Sequence, residues 1–477
     1  MSSDRVGTDD YLDAGGQLED LPRTDPPDPH CTDLGNSERF IRQHGADVRY
    51  SWPWRTWLAW RETHWSRDPG DGVAERAKLT TRAIYREAAE LEDPTRRKIL
   101  SAWASKTEGE HQQRAMVALA RSAVAVTPDQ LDRHAWLYNV TNGTLNLKSS
   151  ELRGHRRDDF LTKLCPWDYD PAARCPRFEE FLTKILDGDT KLIAWLQKVL
   201  GSALVGQVIE QILLIFWGTG ANGKTTLLKL LLRVFGDAYA QQAPMTTFLA
   251  KHGDSIPNDL ARLAGARLVV ASESGNGRRL DEATVKALTG GDPITARFLN
   301  AEFFTFEPTF TVILSTNHRP EIKGQENAIW RRIRLIPFTV TIPPADQDRH
   351  LLDRVLLPEA PGILTWLVQG CRRWQREGLD DVPSAVKAAT ADYQRDCDVL
   401  GPFLEDRCHV MLADPFIFET SATLYQAYRN YCDKTGEAHP ISNVEFGRRL
   451  ADKGLKKEKN REGTRTWRGI ALKGDGT

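Results

Sequence analysis

The chain has little cysteine, no long apolar run and almost no net charge. Its seven cysteines among 477 residues are scattered and never spaced as CxxC, which argues against a disulfide framework and a zinc site and favours reduced cytosolic thiols. The strongest apolar run, Ile212 to Trp217, is far shorter than the roughly 18 residues of a membrane span. The N-terminus also lacks the basic-then-apolar layout of a signal peptide. We therefore expect a cytoplasmic protein.

The charge balance of 64 basic and 65 acidic residues excludes a uniformly basic nucleic-acid coat protein. Counted by segment, however, the chain is polarised. Residues 1–33 hold nine acids and two arginines, whereas residues 446–477 hold ten basic residues and four acids. Because residues 1–33 are also rich in Asp, Gly and Pro and poor in apolar side chains, we expect a disordered acidic leader there.

Hydrophobic periodicity divides the rest of the chain. Residues 34–200 are predicted to be mainly helical, with a hairpin about Asn142-Gly143. Six tryptophans between positions 52 and 103 favour core packing, with nucleotide stacking as the alternative. Between about 208 and 340, short apolar strands alternate with helical segments, which predicts an α/β domain with a largely parallel sheet. Helical periodicity returns over 346–398, and residues 399–477 contain predicted helices at 420–435 and 442–453 before a basic hairpin around Gly463.

The most specific motif is a complete GxxxxGK[ST], consisting of Gly218, Thr219, Gly220, Ala221, Asn222, Gly223, Lys224 and Thr225. It lies between a predicted strand at 211–217 and a predicted helix at 227–235, as a phosphate-binding loop requires. Glycines let backbone N–H groups converge on phosphate oxygens at the helix N-terminus. Lys224 is suited to neutralise the β- and γ-phosphates, and the Thr225 hydroxyl to hold Mg²⁺. We expect ATP and Mg²⁺ to bind here, with Thr226 completing the nucleotide site.

Polar residues that follow apolar strands are further catalytic candidates. Glu273 follows the predicted strand 268–272, where it is placed to orient water or bind Mg²⁺, although an acid can also simply end a strand. Asn317 follows a strand at 311–314 and can bridge a γ-phosphate and water, or form a turn. Arg331 and Arg332 come fourteen and fifteen residues after Asn317. Arginine suits the capping of developing phosphoryl charge, including on a neighbouring subunit.

In this order the motifs resemble superfamily 3 helicases, above all the helicase part of phage and plasmid primase-helicases and their poxvirus relative. The likeness rests on FWGTGANGKTTLL, KALTGGDPITAR and WRRIRLIPF, and extends upstream to WLYNVTNGTLNL and downstream to the chain end. It implies a P-loop AAA+-like α/β core at 201–345, a helical collar at 34–200, a helical connector at 346–398 and a winged helix at 399–477. It also implies that Glu273 is the Walker B acid, Asn317 the sensor, and Arg332 or Arg331 the arginine finger.

The resemblance further implies a hexameric ring that hydrolyses ATP between subunits and draws single-stranded DNA through its centre. Residues 295–304 correspond to the family's DNA-gripping hairpin, but the tip lacks a lysine, so the candidate contacts are Arg297, Phe298 and Asn300, with Lys286 before them. The basic C-terminus suits phosphate contacts on physical grounds, with a solvated face as the alternative. Its candidates are Arg448, Arg449, Lys456, Lys457 and Arg465.

The sequence therefore predicts an ATP-dependent DNA helicase for replication of a phage, plasmid or related mobile element in a bacterial cytoplasm. Expected partners are single-stranded and forked DNA, further copies of the chain, and a separate primase or other replisome protein, with no membrane. About 35 residues precede the predicted helical domain, so we expect no primase activity. Two other functions fit less well: an initiator or helicase loader that binds DNA without unwinding it, and an ATPase for DNA packaging or segregation.

Overall fold

The computed structural model describes residues 30–250, 258–272, 279–298, 302–324, 327–414, 416–436, 440–459 and 463–473. The predicted leader thus lies outside the described residues except for its end, 30–33. The α-helices are α1 (Asp33–His44), α2 (Asp71–Glu90), α3 (Pro94–Thr107), α4 (Glu110–Ala120), α5 (Pro176–Ile185), α6 (Thr190–Ser202), α7 (Lys224–Phe235), α8 (Asn258–Ala261), α9 (Glu282–Gly290), α10 (Asn327–Trp330), α11 (Ala360–Glu377), α12 (Ser384–Asp396), α13 (Gly401–Arg407), α14 (Ser421–Thr435) and α15 (Asn443–Asp452).

The strands are β1 (Val48–Ser51), β2 (Thr56–Trp60), β3 (Trp65–Asp68), β4 (Leu137–Val140), β5 (Gly143–Asn146), β6 (Glu151–Arg153), β7 (Leu213–Trp217), β8 (Ala240–Pro244), β9 (Leu268–Ser272), β10 (Ile294–Ala296), β11 (Phe304–Phe306), β12 (Thr311–Thr316), β13 (Ile333–Pro337), β14 (Cys408–Val410), β15 (Phe418–Thr420), β16 (Lys456–Lys459), β17 (Arg465–Arg468) and β18 (Ile470–Leu472). They belong to two compact units. One comprises the residues up to 131 with 157–162, and the other comprises 132–156 with 163 onward. The domain bounds expected at 33, 200, 345 and 398 stay predictions.

The tryptophan-rich part of the first unit corrects the expectation of helix. Residues 48–68 form an antiparallel sheet in the order β1-β2-β3, beside α1 to α4. Aromatic and β-branched side chains favour a pleated, half-buried surface, and Pro53 interrupts any helix in this stretch. Trp57, Trp60 and Trp65 are at most 9% exposed, so their expected place in the core is confirmed.

A parallel sheet organises the second unit, which confirms the α/β expectation for this part of the chain. Its five strands lie in the order β13-β7-β12-β9-β8, and every neighbouring pair is parallel. Successive residues of β7 point into different cores: Leu214 and Phe216 pack with α6, α7 and α11, whereas Leu213 and Ile215 pack on the opposite face with α9 and α12. Because both faces are covered, the strands are almost continuously apolar.

Smaller antiparallel sheets flank this core. The hairpin expected about Asn142-Gly143 is confirmed as β4–β5, and β6 joins it. At the C-terminal end, α14 and α15 confirm the two expected helices, and β16–β17 confirm the basic hairpin. The side chain of Ser442 accepts a hydrogen bond from the Glu445 amide at 3.3 Å, so it caps α15. These elements enclose a separate core around Phe403, Tyr428 and Trp467.

Among the described residues, no helix combines the length and the apolar character that a membrane crossing needs.

Candidate functional site

Three neighbouring strands, β7, β12 and β9, end at the same edge of the parallel sheet. Thr316, the last residue of β12, pairs with Trp217 at the end of β7, and Ser315 pairs with Ser272 at the end of β9. The glycine-rich loop after β7 and Asn317 after β12 therefore begin side by side. Glu273 directly follows Ser272 in sequence but lies outside the described residues, so its role stays a prediction.

The glycine-rich loop, residues 218–223, connects β7 to α7 and depends on glycine at two positions for different reasons. A Cβ on Gly218 would lie 2.3 Å from the carbonyl oxygen of Phe338, so only glycine fits there. Gly223, the residue before α7, has a φ of +80°, a left-handed conformation that glycine adopts at little cost. The loop thus leads directly into α7, whose first backbone N–H groups lie at the positive end of the helix dipole.

Lys224 is buried in the first turn of α7. Its Nζ donates to the Gly218 carbonyl oxygen at 2.6 Å, to Asn222 Oδ1 at 3.1 Å and to Asn317 Oδ1 at 3.4 Å. Burial lowers the pKa of the lysine to about 8. All three acceptors are neutral, so the ammonium has no opposite charge among them. Phosphate oxygens would supply that charge, which is the fit expected of a nucleotide site.

A cavity of about 520 Å³ opens in front of this lysine, within the size range of small-molecule sites. Thr225 and Thr226 of α7 line it together with Asn317, and Thr225 is exposed towards it. The wall of this cavity also contains residues that the motifs did not identify, namely Phe181, Gln242, Asp346, Gln347, Asp348 and Arg349. Four of them, residues 346–349, follow β13 at a distance of nine residues and carry no motif that marks a nucleotide site. The backbone of Ile342 donates to the carbonyl oxygen of Ala221 at 2.7 Å and so ties this wall to the loop.

The two candidate finger arginines differ in environment. Arg332 is 8% exposed; its guanidinium donates to the Ala328 carbonyl oxygen at 2.6 Å and to Gln211 Oε1 at 3.1 Å. Burial lowers the pKa of Arg332, an effect that nearby Arg331 strengthens and Asp292 opposes. Arg331 is exposed. Arg332 therefore binds residues of its own chain, whereas the Arg331 side chain is exposed.

The segment expected to grip DNA is a hairpin of β10 and β11. Phe298 and Phe303 are 47% and 58% exposed, and the Arg297 guanidinium lies 4.6 Å from the Phe303 ring centroid. Phe298 stacks on Phe304 at 5.6 Å between centroids. The described residues next to the tip of this hairpin, which has no lysine, thus offer aromatic faces and one cation, Arg297. Asn300 lies outside the described residues, and Lys286 is half-buried on α9.

The C-terminal basic residues fall into two groups. Arg449 is 3% exposed and donates to Glu445 Oε1 at 2.9 Å, so it is structural. Hydrogen bonds from Arg448 and then Arg449 lower the pKa of Glu445 to about 2, against the effect of its partial burial. Arg448 is half-exposed but shares that carboxylate. Lys456, Lys457 and Arg465 are exposed on the β16–β17 hairpin, where the Lys457 ammonium lies 5.3 Å from the Trp467 ring centroid.

Two family models match the chain, one described as "D5 N terminal like" over residues 37–187 and one as "Family of unknown function (DUF5906)" over residues 216–332. A mimivirus protein (Acanthamoeba polyphaga mimivirus) named "Putative helicase" is 27% identical over 58% of this chain and 31% of its own length. A second protein of that name, from Frog virus 3, is 29% identical over 51% and 26%. A protein named "Putative primase" from African swine fever virus is 27% identical over 58% and 31%.

The chain thus matches less than a third of the length of each of these three relatives. Among solved structures, the apo C terminal region of NrS-1 is similar at a TM-score of 0.49 and 12% identity, covering 88% of this chain and 86% of that one.

Proposed function

We propose that the chain is an ATP-dependent DNA helicase of superfamily 3, because its motifs resemble those of phage and poxvirus primase-helicases and the viral proteins it matches are named as helicases or primases. In this proposal it drives replication of a phage, plasmid or related mobile element and moves as a ring on single-stranded DNA. The observation that carries the proposal is the convergence of Lys224, Thr225 and Asn317 on one cavity. The glycine-rich loop is then a P-loop in an AAA+-like core, and residues 399–477 form a winged helix.

Each candidate catalytic residue has one task in this mechanism. Lys224 exchanges its neutral acceptors for the β- and γ-phosphate oxygens, and the N–H groups at the start of α7 bind the same phosphates. Thr225 and Glu273 would hold Mg²⁺, which neutralises phosphate charge when bound. Asn317, within 3.4 Å of Lys224 Nζ, orients the attacking water against the γ-phosphate. A neighbour's Arg331 then stabilises the charge that develops on transfer.

Two measurements test the proposal together. We expect the purified chain to hydrolyse ATP faster when single-stranded DNA is added. We also expect it to assemble into a closed ring with ATP and DNA, measured by native mass and negative-stain imaging. A chain that stays monomeric with both ligands, and whose hydrolysis is indifferent to DNA, would contradict the ring motor.

ATP affinity is expected to fall as pH rises above about 8. Free Lys224 has a pKa of about 8, and phosphate binding raises it because the ammonium gains an opposite charge. Binding therefore takes up a proton above pH 8, and the dissociation constant rises by up to about tenfold per pH unit until the pKa of the complex is reached. Calorimetry in buffers of different ionisation enthalpy checks the proton uptake. Lys224→Met should bind more weakly but without this pH dependence.

Besides the β10–β11 hairpin, the proposal includes a second DNA-contacting element, the basic hairpin β16–β17. Lys456→Ala is expected to lower the slope of log affinity against log salt by about one, because one phosphate contact is lost. Arg449→Ala is its control in the same module: because Arg449 is buried against Glu445, its loss should reduce stability by about 1–3 kcal/mol and leave the salt slope unchanged. Fluorescence anisotropy at several salt concentrations and thermal unfolding separate the two. Equal salt slopes in wild type and Lys456→Ala would contradict the proposed contact between the hairpin and DNA phosphates.

An initiator or loader is the second candidate, because Arg297 is the sole described cation of the β10–β11 hairpin, residues 294–298 and 302–306. Such a protein would bind ATP as an assembly ligand and would recruit another helicase. It would bind DNA but would not separate strands by itself.

A further inference from the structure

Two tryptophans on one tight turn of the first compact unit remain outside its core. Trp52 is 53% exposed and Trp54 is 38% exposed, although the other aromatic residues of this sheet are buried. The turn joins β1 to β2 and is closed by a hydrogen bond from the Arg55 amide to the Trp52 carbonyl oxygen at 3.1 Å. Pro53 fixes one backbone angle of the turn. The two indoles are thus presented on a preorganised element, and a ligand that binds them need not order it.

Three arginines belong to the β1–β2 turn or contact the aromatic residues beside it. The Arg67 guanidinium lies 4.7 Å from the Trp54 ring centroid. The Arg121 guanidinium lies 4.8 Å from the Tyr50 ring, and Tyr50 in turn meets Trp52 edge-on at 4.9 Å. Arg121 Nε is buried and has no hydrogen-bond partner among the described residues. Arg55, in the turn itself, is exposed. The patch therefore combines open aromatic surface with three guanidinium groups, one of which has a nitrogen without a hydrogen-bond partner among the described residues.

The acids of the same sheet do not neutralise this patch. Asp68 is 4% exposed and accepts hydrogen bonds from the amides of Gly72 and Val73 at the start of α2. Glu62 lies in the β2–β3 turn, at the far end of β2 from Trp54. Residues 48–68, which form this sheet, hold four arginines and two acids, although the whole chain has a net charge of −1.

We propose that this patch, consisting of Trp52, Trp54, Arg55, Arg67 and Arg121, is a binding site for single-stranded nucleic acid. Bases stack on the two indoles, and phosphate oxygens accept hydrogen bonds from the guanidinium groups. The aromatic faces fit the planar bases of such a ligand, and the arginines fit its repeated negative charge. The site needs no ATP, and because every base has a stackable face it tolerates any sequence.

Photocrosslinking of the full chain locates the contact directly. Oligothymidylate carrying 5-iodouracil is mixed with the wild-type protein without nucleotide, irradiated, and the crosslinked peptides are identified by mass spectrometry. We expect crosslinks on Trp52 or Trp54. If DNA crosslinks form only on the β10–β11 hairpin or on the C-terminal module, or if none form, the site does not exist. Because no ATP is present, the result is independent of whether the chain is a helicase.

Substitutions then measure the contribution of the indoles. Trp52→Ala/Trp54→Ala is expected to weaken oligothymidylate binding by about tenfold or more, whereas the corresponding double phenylalanine variant keeps stacking surface and recovers much of the affinity. Tyr85→Ala is the matched control, since Tyr85 is an exposed aromatic of the same unit, on α2, hydrogen-bonded to Glu108. ATP hydrolysis measured without DNA should be equal in all of them. Unchanged DNA affinity in the double alanine variant would overturn the proposal and leave a protein partner as the occupant of the patch.

Discussion

Replacing Lys224 by alanine is expected to lower the rate of ATP hydrolysis at least about a hundredfold. The lysine is the one buried cation at the edge where β7, β9 and β12 end, among the residues that the structure describes there. Its Nζ is hydrogen-bonded to Gly218 and Asn317 at this edge, and in the proposal it exchanges these neutral acceptors for phosphate oxygens. Steady-state phosphate release at saturating ATP, with and without single-stranded DNA, measures the effect.

The fold should survive this change, because the partners of Lys224 are neutral and Asn222 keeps its own hydrogen bond to the Phe338 carbonyl oxygen. Lys387→Ala is the matched control: it removes an exposed lysine from α12 in the same unit and should leave hydrolysis unchanged. Hydrolysis within a few-fold of wild type in Lys224→Ala, or strand separation that survives in that variant, would rule out the proposed chemistry.

Arg331→Ala is expected to reduce hydrolysis by about a thousandfold in the assembled protein while ATP still binds, as for an arginine finger. Arg332→Ala is expected to act differently. Because Arg332 is buried and hydrogen-bonded to Ala328 and Gln211, its removal should lower the melting temperature. Comparing hydrolysis, ATP binding and thermal unfolding for the two variants separates a residue that acts on a neighbour from one that holds its own chain together.

Mixing inactive variants tests whether Arg331 acts across an interface. A Lys224→Ala subunit still supplies Arg331, and an Arg331→Ala subunit still supplies Lys224, so random assembly creates some complete sites. Hydrolysis should therefore reappear when the two inactive proteins are mixed before assembly. A mixture as inactive as its components would mean that Arg331 does not complete a neighbour's site.

Much of the parallel-sheet unit could be predicted because its signals are local. The GxxxxGK[ST] motif between an apolar strand and an amphipathic helix determines where Lys224 lies. The almost continuously apolar strands β7 and β12 pair in parallel, which places Asn317 beside it. The difference between Arg331 and Arg332 was not predictable, since it depends on Gln211, which is distant in sequence and close only in the folded chain.

The first unit shows the opposite case. Its tryptophans suggested a helical core, yet the segment forms three short strands, and strand and helix are hard to distinguish in short aromatic runs. The exposure of Trp52 and Trp54 follows from their position in a turn, which composition does not reveal. The sequence did not predict that residues 346–349 line the cavity. These residues follow β13, and no local motif indicates that this segment returns to the glycine-rich loop.

The most direct test of the helicase proposal is displacement of a labelled strand from a forked duplex by the purified chain alone. We expect displacement that requires ATP hydrolysis, is absent with Lys224→Ala, and is unaffected by Lys387→Ala. A wild-type chain that binds the fork and hydrolyses ATP but releases no strand would contradict it and identify the protein as an initiator or loader.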